Sequence, residues 1–164
     1  MTRKTYEALS APFRNHPQAL KFLSLGNKLL TLSCYALYPA LLLWAFWTRD
    51  SRFWRLLLVP GLSFAAVSVF RKLYNSPRPY ETLDIHPLIP RDKTGESFPS
   101  RHVFSVFVIA MSWGTVSAPM GWVLGFVGVL LAATRVVGGI HYPRDVAVGA
   151  GIGILSGLIG FYLV

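Results

Sequence analysis

The stretch HVFSVFVIAMSWGTVSAPMGWVLGFVGVLLAAT, residues 102–134, contains no Asp, Glu, Lys or Arg. A helix needs about 20 mostly apolar residues to cross a hydrocarbon layer of about 30 Å, so this run has room for two short crossings. Ser117-Ala118-Pro119-Met120-Gly121 interrupts it at its middle, which predicts a tight turn between two helices. Each half holds about 16 residues, roughly 24 Å of helix at about 1.5 Å per residue. The ends of both halves are therefore expected slightly inside the headgroup boundary.

Outward from this run, Leu29 to Trp47 holds no charge, Phe53 to Phe70 carries only Arg55, and Val146 to Val164 is a further apolar run. The pattern predicts an all-α fold, an integral-membrane bundle of about five transmembrane helices. Composition agrees: 164 residues suit one domain, and 14% charged against 53% hydrophobic residues is too little charge for an ordinary soluble surface. The whole chain, 1–164, reads as a single domain with an N-terminal segment at 1–28 and the bundle at 29–164. In the segment, Arg3, Lys4, Arg14, Lys21 and Lys28 alternate with Leu9, Phe13, Leu20, Phe22 and Leu25, which suits an interfacial helix. A disordered tail is the alternative reading. No cleavable signal peptide is expected, because the first apolar run begins late, lacks a small-residue cleavage site and is long enough to span. The single Cys34 excludes an intramolecular disulfide.

Five alternating spans would place the N-terminal segment, residues 71–101 and residues 135–145 on one side. Residues 48–52, the 117–121 turn and the C-terminus fall on the other. The first side receives every His and thirteen of the sixteen Lys and Arg residues, leaving Arg49, Arg52 and Arg55 opposite. A net charge of +9 suits nucleic acid or anionic lipid as partner. Basic residues spread over short loops between membrane spans disfavour nucleic acid and favour a lipid headgroup. Oligomeric state is not legible.

Three groups of residues on that side carry chemistry. In RKLYNSPRPYE, residues 71–81, Arg71 and Arg78 offer planar, permanently charged forks that match phosphate oxygens, and Pro77 and Pro79 stop the helix around Arg78. Such residues also serve simply as headgroup anchors. In FPSRH, residues 98–102, Pro99 and Ser100 suit a helix start, where the amides of Ser100, Arg101 and His102 could face an anion, while His102 can give a proton to a leaving oxygen. A capped interfacial helix with a snorkelling Arg101 is the bland alternative. In TRVVGGIHYPRD, residues 134–145, Asp145 stands four residues beyond His141. A carboxylate at that spacing can accept the imidazole's second N–H and leave the other nitrogen free as a nucleophile. A surface ion pair is the competing reading. Together the groups supply a phosphate cradle, a nucleophile with an orienting carboxylate, and a general acid. Ionisable groups at membrane depth are expensive unless they serve a function.

Arg71-x6-Arg78-Pro79, Pro99-Ser100-Arg101-His102 and Thr134-Arg135-x5-His141-x3-Asp145 together resemble the three-part signature of the type 2 phosphatidic acid phosphatases (PAP2), which share a site with vanadium-dependent haloperoxidases. Three positions depart from the family pattern: Arg71 replaces the usual Lys, Arg101 the usual Gly, and Thr134 the usual Ser. The family usually has six spans, and the shortened N-terminus is similar to that of small bacterial undecaprenyl-diphosphate phosphatases. The resemblance implies metal-free, cofactor-free phosphoryl transfer on a lipid phosphate or diphosphate. His141 would attack phosphorus and form a phosphohistidine, Asp145 would hold His141, and His102 would protonate the lipid oxygen and later activate water. Arg71, Arg78 and Arg135, with Ser100 and Arg101, would bind the phosphate.

Arg101 is further expected to contact a second phosphate. Undecaprenyl diphosphate is the expected substrate, with phosphatidylglycerophosphate or phosphatidate as the second reading and a non-enzymatic anion channel or transporter as the remote one. The polar connection carrying Glu81, Asp84, His86, Asp92, Lys93 and Glu96 reads as a lid or a solvated loop. The two guides to sidedness disagree. With the four motif arginines at 71, 78, 101 and 135 set aside, the motif face keeps nine Lys and Arg against three, which points to the cytoplasm. The resemblance places the site at the outer face of a bacterial plasma membrane, and that is the expectation adopted.

Overall fold

A computed structural model describes residues 1–91 and 93–163; Asp92 of the polar connection and Val164, the end of the last apolar run, lie outside the described residues. The helices are α1 Arg3–Arg14, α2 Pro17–Trp47, α3 Phe53–Tyr74, α4 Pro79–Thr82, α5 Arg101–Gly114, α6 Ala118–Val137 and α7 Pro143–Leu158, with π-helical turns at Ile159–Leu163. Four segments are long and apolar enough to cross a bilayer: Pro17–Trp47, Phe53–Thr82, Ala118–Val137 and Pro143–Leu163. The protein is an integral membrane protein.

The third expected span is a special case. α5 has 14 residues, roughly 21 Å of helix, and it stands at the centre of the bundle. Val103, Phe104, Val106, Val108, Ile109, Ala110 and Ser112 are buried along it. It packs most extensively on α6 and α7 and also touches α2 and α3. Its apolar residues are spent on protein contacts all round, so it does not need the length of a lipid-facing span. The break after it also differs from expectation: α5 ends at Gly114 and Pro119 lies in the first turn of α6. Proline lacks only an amide that has no partner at that position anyway, so it begins this helix instead of forming the turn.

At the N-terminus, α1 is ordered against the loops of the motif face. Tyr6 is fully buried and donates to the His86 carbonyl at 3.1 Å, and Arg14 donates to the same oxygen at 3.0 Å. Gly139, with φ of +76°, lets the Tyr6 ring approach so closely that a Cβ there would lie 2.8 Å from its hydroxyl. The expected boundary at residue 28 moves: α2 begins at Pro17 and runs for 31 residues, roughly 46 Å. Residues 17–28 are thus the first turns of a helix longer than the hydrocarbon layer.

α7 reaches α5 through a glycine stripe at four-residue spacing. A Cβ would lie 2.6 Å from the Ser100 carbonyl oxygen at Gly149, 2.6 Å from the Phe104 carbonyl oxygen at Gly153, and 2.3 Å from Met111 Cβ at Gly157. Small residues at this spacing let two helix backbones meet, the usual basis of tight packing in membranes. Gly153→Ala should therefore destabilise the detergent-solubilised protein by about 1–3 kcal/mol, the usual range for overpacking. Gly151→Ala, at a position with nothing within 4 Å, should be neutral or slightly stabilising. Thermal unfolding of the two variants side by side measures this, and equal losses would contradict the packing argument.

Candidate active site

The site is assembled from the ends of α3, α5, α6 and α7 and the loop before α5. α3 stops where Asn75 adopts a left-handed conformation, φ 41°, with its N–H on the Arg71 carbonyl at 3.0 Å. The following loop returns through Gly95, φ +64°, a conformation that favours glycine and that brings the backbone so close to Asn75 that a Cβ would lie 2.2 Å from its Oδ1. Glu81 Oε2 ties the two ends of this connection together, accepting from the Arg78 amide at 2.7 Å and the Gly95 amide at 2.9 Å. The polar connection is pinned to the site, unlike a free solvated loop.

Arg71, Arg78 and Arg135 are all buried. Arg71 donates to the carbonyls of Glu96, Ser97 and Pro99, and its Nε is buried without a partner. Arg78 donates through Nε to the Gly95 carbonyl at 2.8 Å, with longer contacts to the carbonyls of Ile140 and Glu96, both at 3.4 Å. These two arginines therefore brace the loop before α5, and Arg78 also reaches the residue preceding His141. Arg135 reaches α2, donating to Thr31 Oγ1 at 3.2 Å, and its Nε is also buried without a partner. Thr134 contributes nothing to the site, since its hydroxyl donates to the Leu131 carbonyl at 2.8 Å.

Asp145 is fully buried and His141 is 2% exposed, so these two do not form a surface ion pair, while the exposed Arg144 places its Nε 3.6 Å from Asp145 Oδ1, the other pair that the competing reading allows. The direct contact expected between His141 and Asp145 is too long: Nδ1 of His141 lies 3.6 Å from Asp145 Oδ2. Ser97 bridges them. Its hydroxyl donates to Oδ2 at 2.5 Å, which leaves its oxygen to accept from Nδ1–H of His141 at 3.3 Å. That assignment places the imidazole proton on Nδ1 and leaves Nε2 with a free lone pair. Oδ2 also accepts the Tyr142 amide at 3.0 Å, capping α7. Burial pushes the His141 pKa down from its ordinary 6.5 to about 4, outweighing the opposing pull of Asp145. The ring is neutral at physiological pH.

Sequence reading missed Ser97 and Thr31. Ser97 precedes the FPSRH group by one residue, but only the fold brings it to residues 44 and 48 positions away. Ser100, at the start of α5, has a fully buried hydroxyl without a partner, while its amide donates to the Asp145 carbonyl at 2.8 Å. The Ser100 amide is therefore not open to an anion as expected; the free amides at this helix start are those of Arg101 and His102. Arg101 stands apart from the other arginines' hydrogen bonds, its guanidinium over the Phe64 ring at 5.4 Å. His102 lines two cavities that share Thr31 and Tyr35 as well. Arg101 and Phe64 belong to the more apolar of the two.

Similarity to known proteins follows the same residues. The chain is 30% identical over 138 residues to the bacitracin transport permease protein BcrC of Bacillus licheniformis, covering 80% of this chain and 68% of that one. It is 32% identical over 125 residues to undecaprenyl-diphosphatase BcrC of Bacillus subtilis (strain 168), covering 74% and 63%. The chain thus spans about two thirds of the length of these relatives. Among solved structures, LpxE of Aquifex aeolicus superposes with a TM-score of 0.75 at 30% identity, covering 96% of this chain and 92% of that one. A phosphatidylglycerolphosphate phosphatase of Bacillus subtilis superposes with a TM-score of 0.69 at 22% identity, covering 96% and 83%, which speaks for the fold alone. Residues 52–164, from the start of α3 through every motif and α7, match the PAP2 superfamily, and the chain belongs to that family.

Proposed function

We propose that this membrane lipid phosphatase hydrolyses a polyprenyl diphosphate, undecaprenyl diphosphate by the precedent of the relative so named, through a phosphohistidine at His141. The observation that carries the reading is the buried Ser97, His141 and Asp145 linkage, set among Arg71, Arg78 and Arg135. A neutral His141 attacks the terminal phosphorus through Nε2, and the imidazolium that forms is stabilised by Asp145 through Ser97. His102, protonated once the anionic substrate lies beside it, gives that proton to the departing lipid-side oxygen and then accepts one from the water that hydrolyses the intermediate. Arg135, the free Nε of Arg71, Arg78, Arg101, the Ser100 hydroxyl and the first amides of α5 balance the charge on the phosphoryl oxygens.

An apolar groove supports a lipid substrate. It lies between α2 and α3, lined by Tyr35, Tyr38, Pro39, Pro60, Phe64 and Phe104. It shares Cys34, Tyr35, Phe64, Ser105 and Ile109 with the cavity that contains His102. An isoprenoid tail in the groove would therefore bring its phosphate to the catalytic end. A transport role, as in the name of the other relative, fits less well, because the charged groups stand at helix ends and not on broken helices at mid-depth.

Purified protein in detergent with EDTA should release phosphate from the polyprenyl diphosphate faster than from phosphatidylglycerophosphate or phosphatidate. His141→Ala should remove at least about a thousandfold of that rate; activity that survives the change, or that is abolished by EDTA, would sink the mechanism. Because His141 is neutral down to about pH 4, the His141 limb of the kcat/KM profile should lie near that pH. A limb near 6.5 would contradict the buried nucleophile. Linkage has the same sign: the contribution of this lowered pKa to stability is complete above pH 6.5 and is lost as pH falls toward about 4.

The active site is assigned to the outer face of a bacterial plasma membrane. The phosphate-binding arginines inflate the charge count on the motif face, and Arg49, Arg52 and Arg55 form a compact anchor opposite. With Cys34 replaced by Ser, Lys93→Cys should react with an impermeant thiol reagent in intact cells. Protection until the cells are permeabilised would reverse the assignment.

A further inference from the structure

Beside His102, on the α2 side, lies an open cavity lined by Asn27, Lys28, Thr31, Leu32, Tyr35, Arg91, His102 and Arg135. Three of its residues are permanent cations, and no carboxylate lines it among the described residues. Two of those cations, Lys28 and Arg91, lie outside the three motifs. No described carboxylate pairs with either of them. Arg91 is near enough for its charge to act on Arg135, His102 and Arg78. Lys28 is exposed and Arg91 half-buried, so the cavity opens to solvent and offers an entering anion two cations that no described carboxylate neutralises. Asn27 also lines the cavity, and its side-chain amide carries N–H donors.

The position of the cavity identifies the anion. In a lipid diphosphate the bond that breaks joins the terminal phosphorus to the bridging oxygen. Nε2 of His141 forms the new bond to the terminal phosphorus, and the proton from His102 goes to the bridging oxygen. That oxygen stays with the phosphate still attached to the lipid. The second phosphoryl group must therefore lie beyond His102 from His141, on a wall shared with His102. We propose that Lys28 and Arg91, with Asn27, form a subsite for this lipid-side phosphate and make the enzyme select diphosphates over monophosphates. The proposal rests on the diphosphatase reading above. It moves the second-phosphate role expected of Arg101, whose guanidinium is stacked over Phe64, to residues on α2 and the loop before α5.

The test uses the full-length protein, wild type and Lys28→Ala/Arg91→Ala, in neutral detergent micelles and in vesicles containing phosphatidylglycerol. Removing two charged contacts should lower the ratio of kcat/KM for a polyprenyl diphosphate to that for the corresponding monophosphate by about tenfold or more. The loss should be equal in micelles and vesicles. An unchanged ratio would overturn the subsite, and a loss confined to phosphatidylglycerol vesicles would show that the pair binds the anionic bilayer surface instead. A second arm does not depend on the physiological lipid. Methylenediphosphonate should inhibit the wild type more tightly than methylphosphonate does, with any hydrolysable lipid phosphate as substrate, and the double variant should lose that advantage. If the wild type cleaves only monophosphate lipids while this advantage is present, the substrate reading and the selection of diphosphates both fail, and only the binding of a second phosphoryl group at Lys28 and Arg91 stands. If the wild type shows no such advantage, the subsite fails.

Discussion

The amide of Ser100, at the start of α5, donates to the carbonyl of Asp145, in the first turn of α7, at 2.8 Å. This one main-chain bond requires two helix ends to meet without side chains between them, and Gly149 provides the space, since any Cβ there would strike the Ser100 carbonyl oxygen. Gly153 and Gly157 continue the same close contact down the bundle. From it follow the placement of His102 in the first turn of α5, the burial of Asp145, and the reach of Ser97 to both Asp145 and His141. Arg71 and Arg78 then fasten the loop before α5 by its carbonyl groups. A buried, preorganised site of this kind spends little reorganisation when charge develops on a phosphoryl group.

The same constraint explains the mixed lengths of the helices. α5 is enclosed by its neighbours, so hydrogen bonding within the helix and apolar packing suffice, and a length near 21 Å is enough. The long helices α2 and α3 meet lipid along one side and leave a groove between them that ends near His102. Aromatic and proline residues line that groove. The architecture thus joins an apolar lateral surface to a strongly basic end, a combination suited to a molecule with a long hydrocarbon tail and a phosphorylated head.

Much of this was legible in the sequence because its signals were local. Charge-free runs give helices by length alone, and the motif spacing places Arg71, Arg78, His102, Arg135, His141 and Asp145 at helix ends on one face. Three features were not legible for physical reasons. Whether an apolar run faces lipid or protein depends on its neighbours, so the short α5 and a lipid-spanning helix read alike. The bridge made by Ser97 joins residues far apart in sequence, and an i,i+4 spacing between His141 and Asp145 suggests a direct bond that the fold replaces with a hydroxyl. Arg101 sits in a motif yet turns to Phe64 in the apolar cavity beside His102, whereas Lys28 and Arg91 sit in no motif yet line the basic cavity on its other side. The glycine stripe at 149, 153 and 157 was a visible signal, and its four-residue period could have located the α5 contact.

The central claim is that Ser97 and Asp145 hold a neutral His141 with Nε2 free to take the phosphoryl group. Rapid mixing of the enzyme with a diphosphate substrate carrying a labelled terminal phosphate, an alkaline quench, and mass spectrometry of the peptides tests it most directly. The account predicts a transient, acid-labile phosphoryl group on His141. Label on His102, or turnover with no phosphorylated histidine at any time, would contradict it.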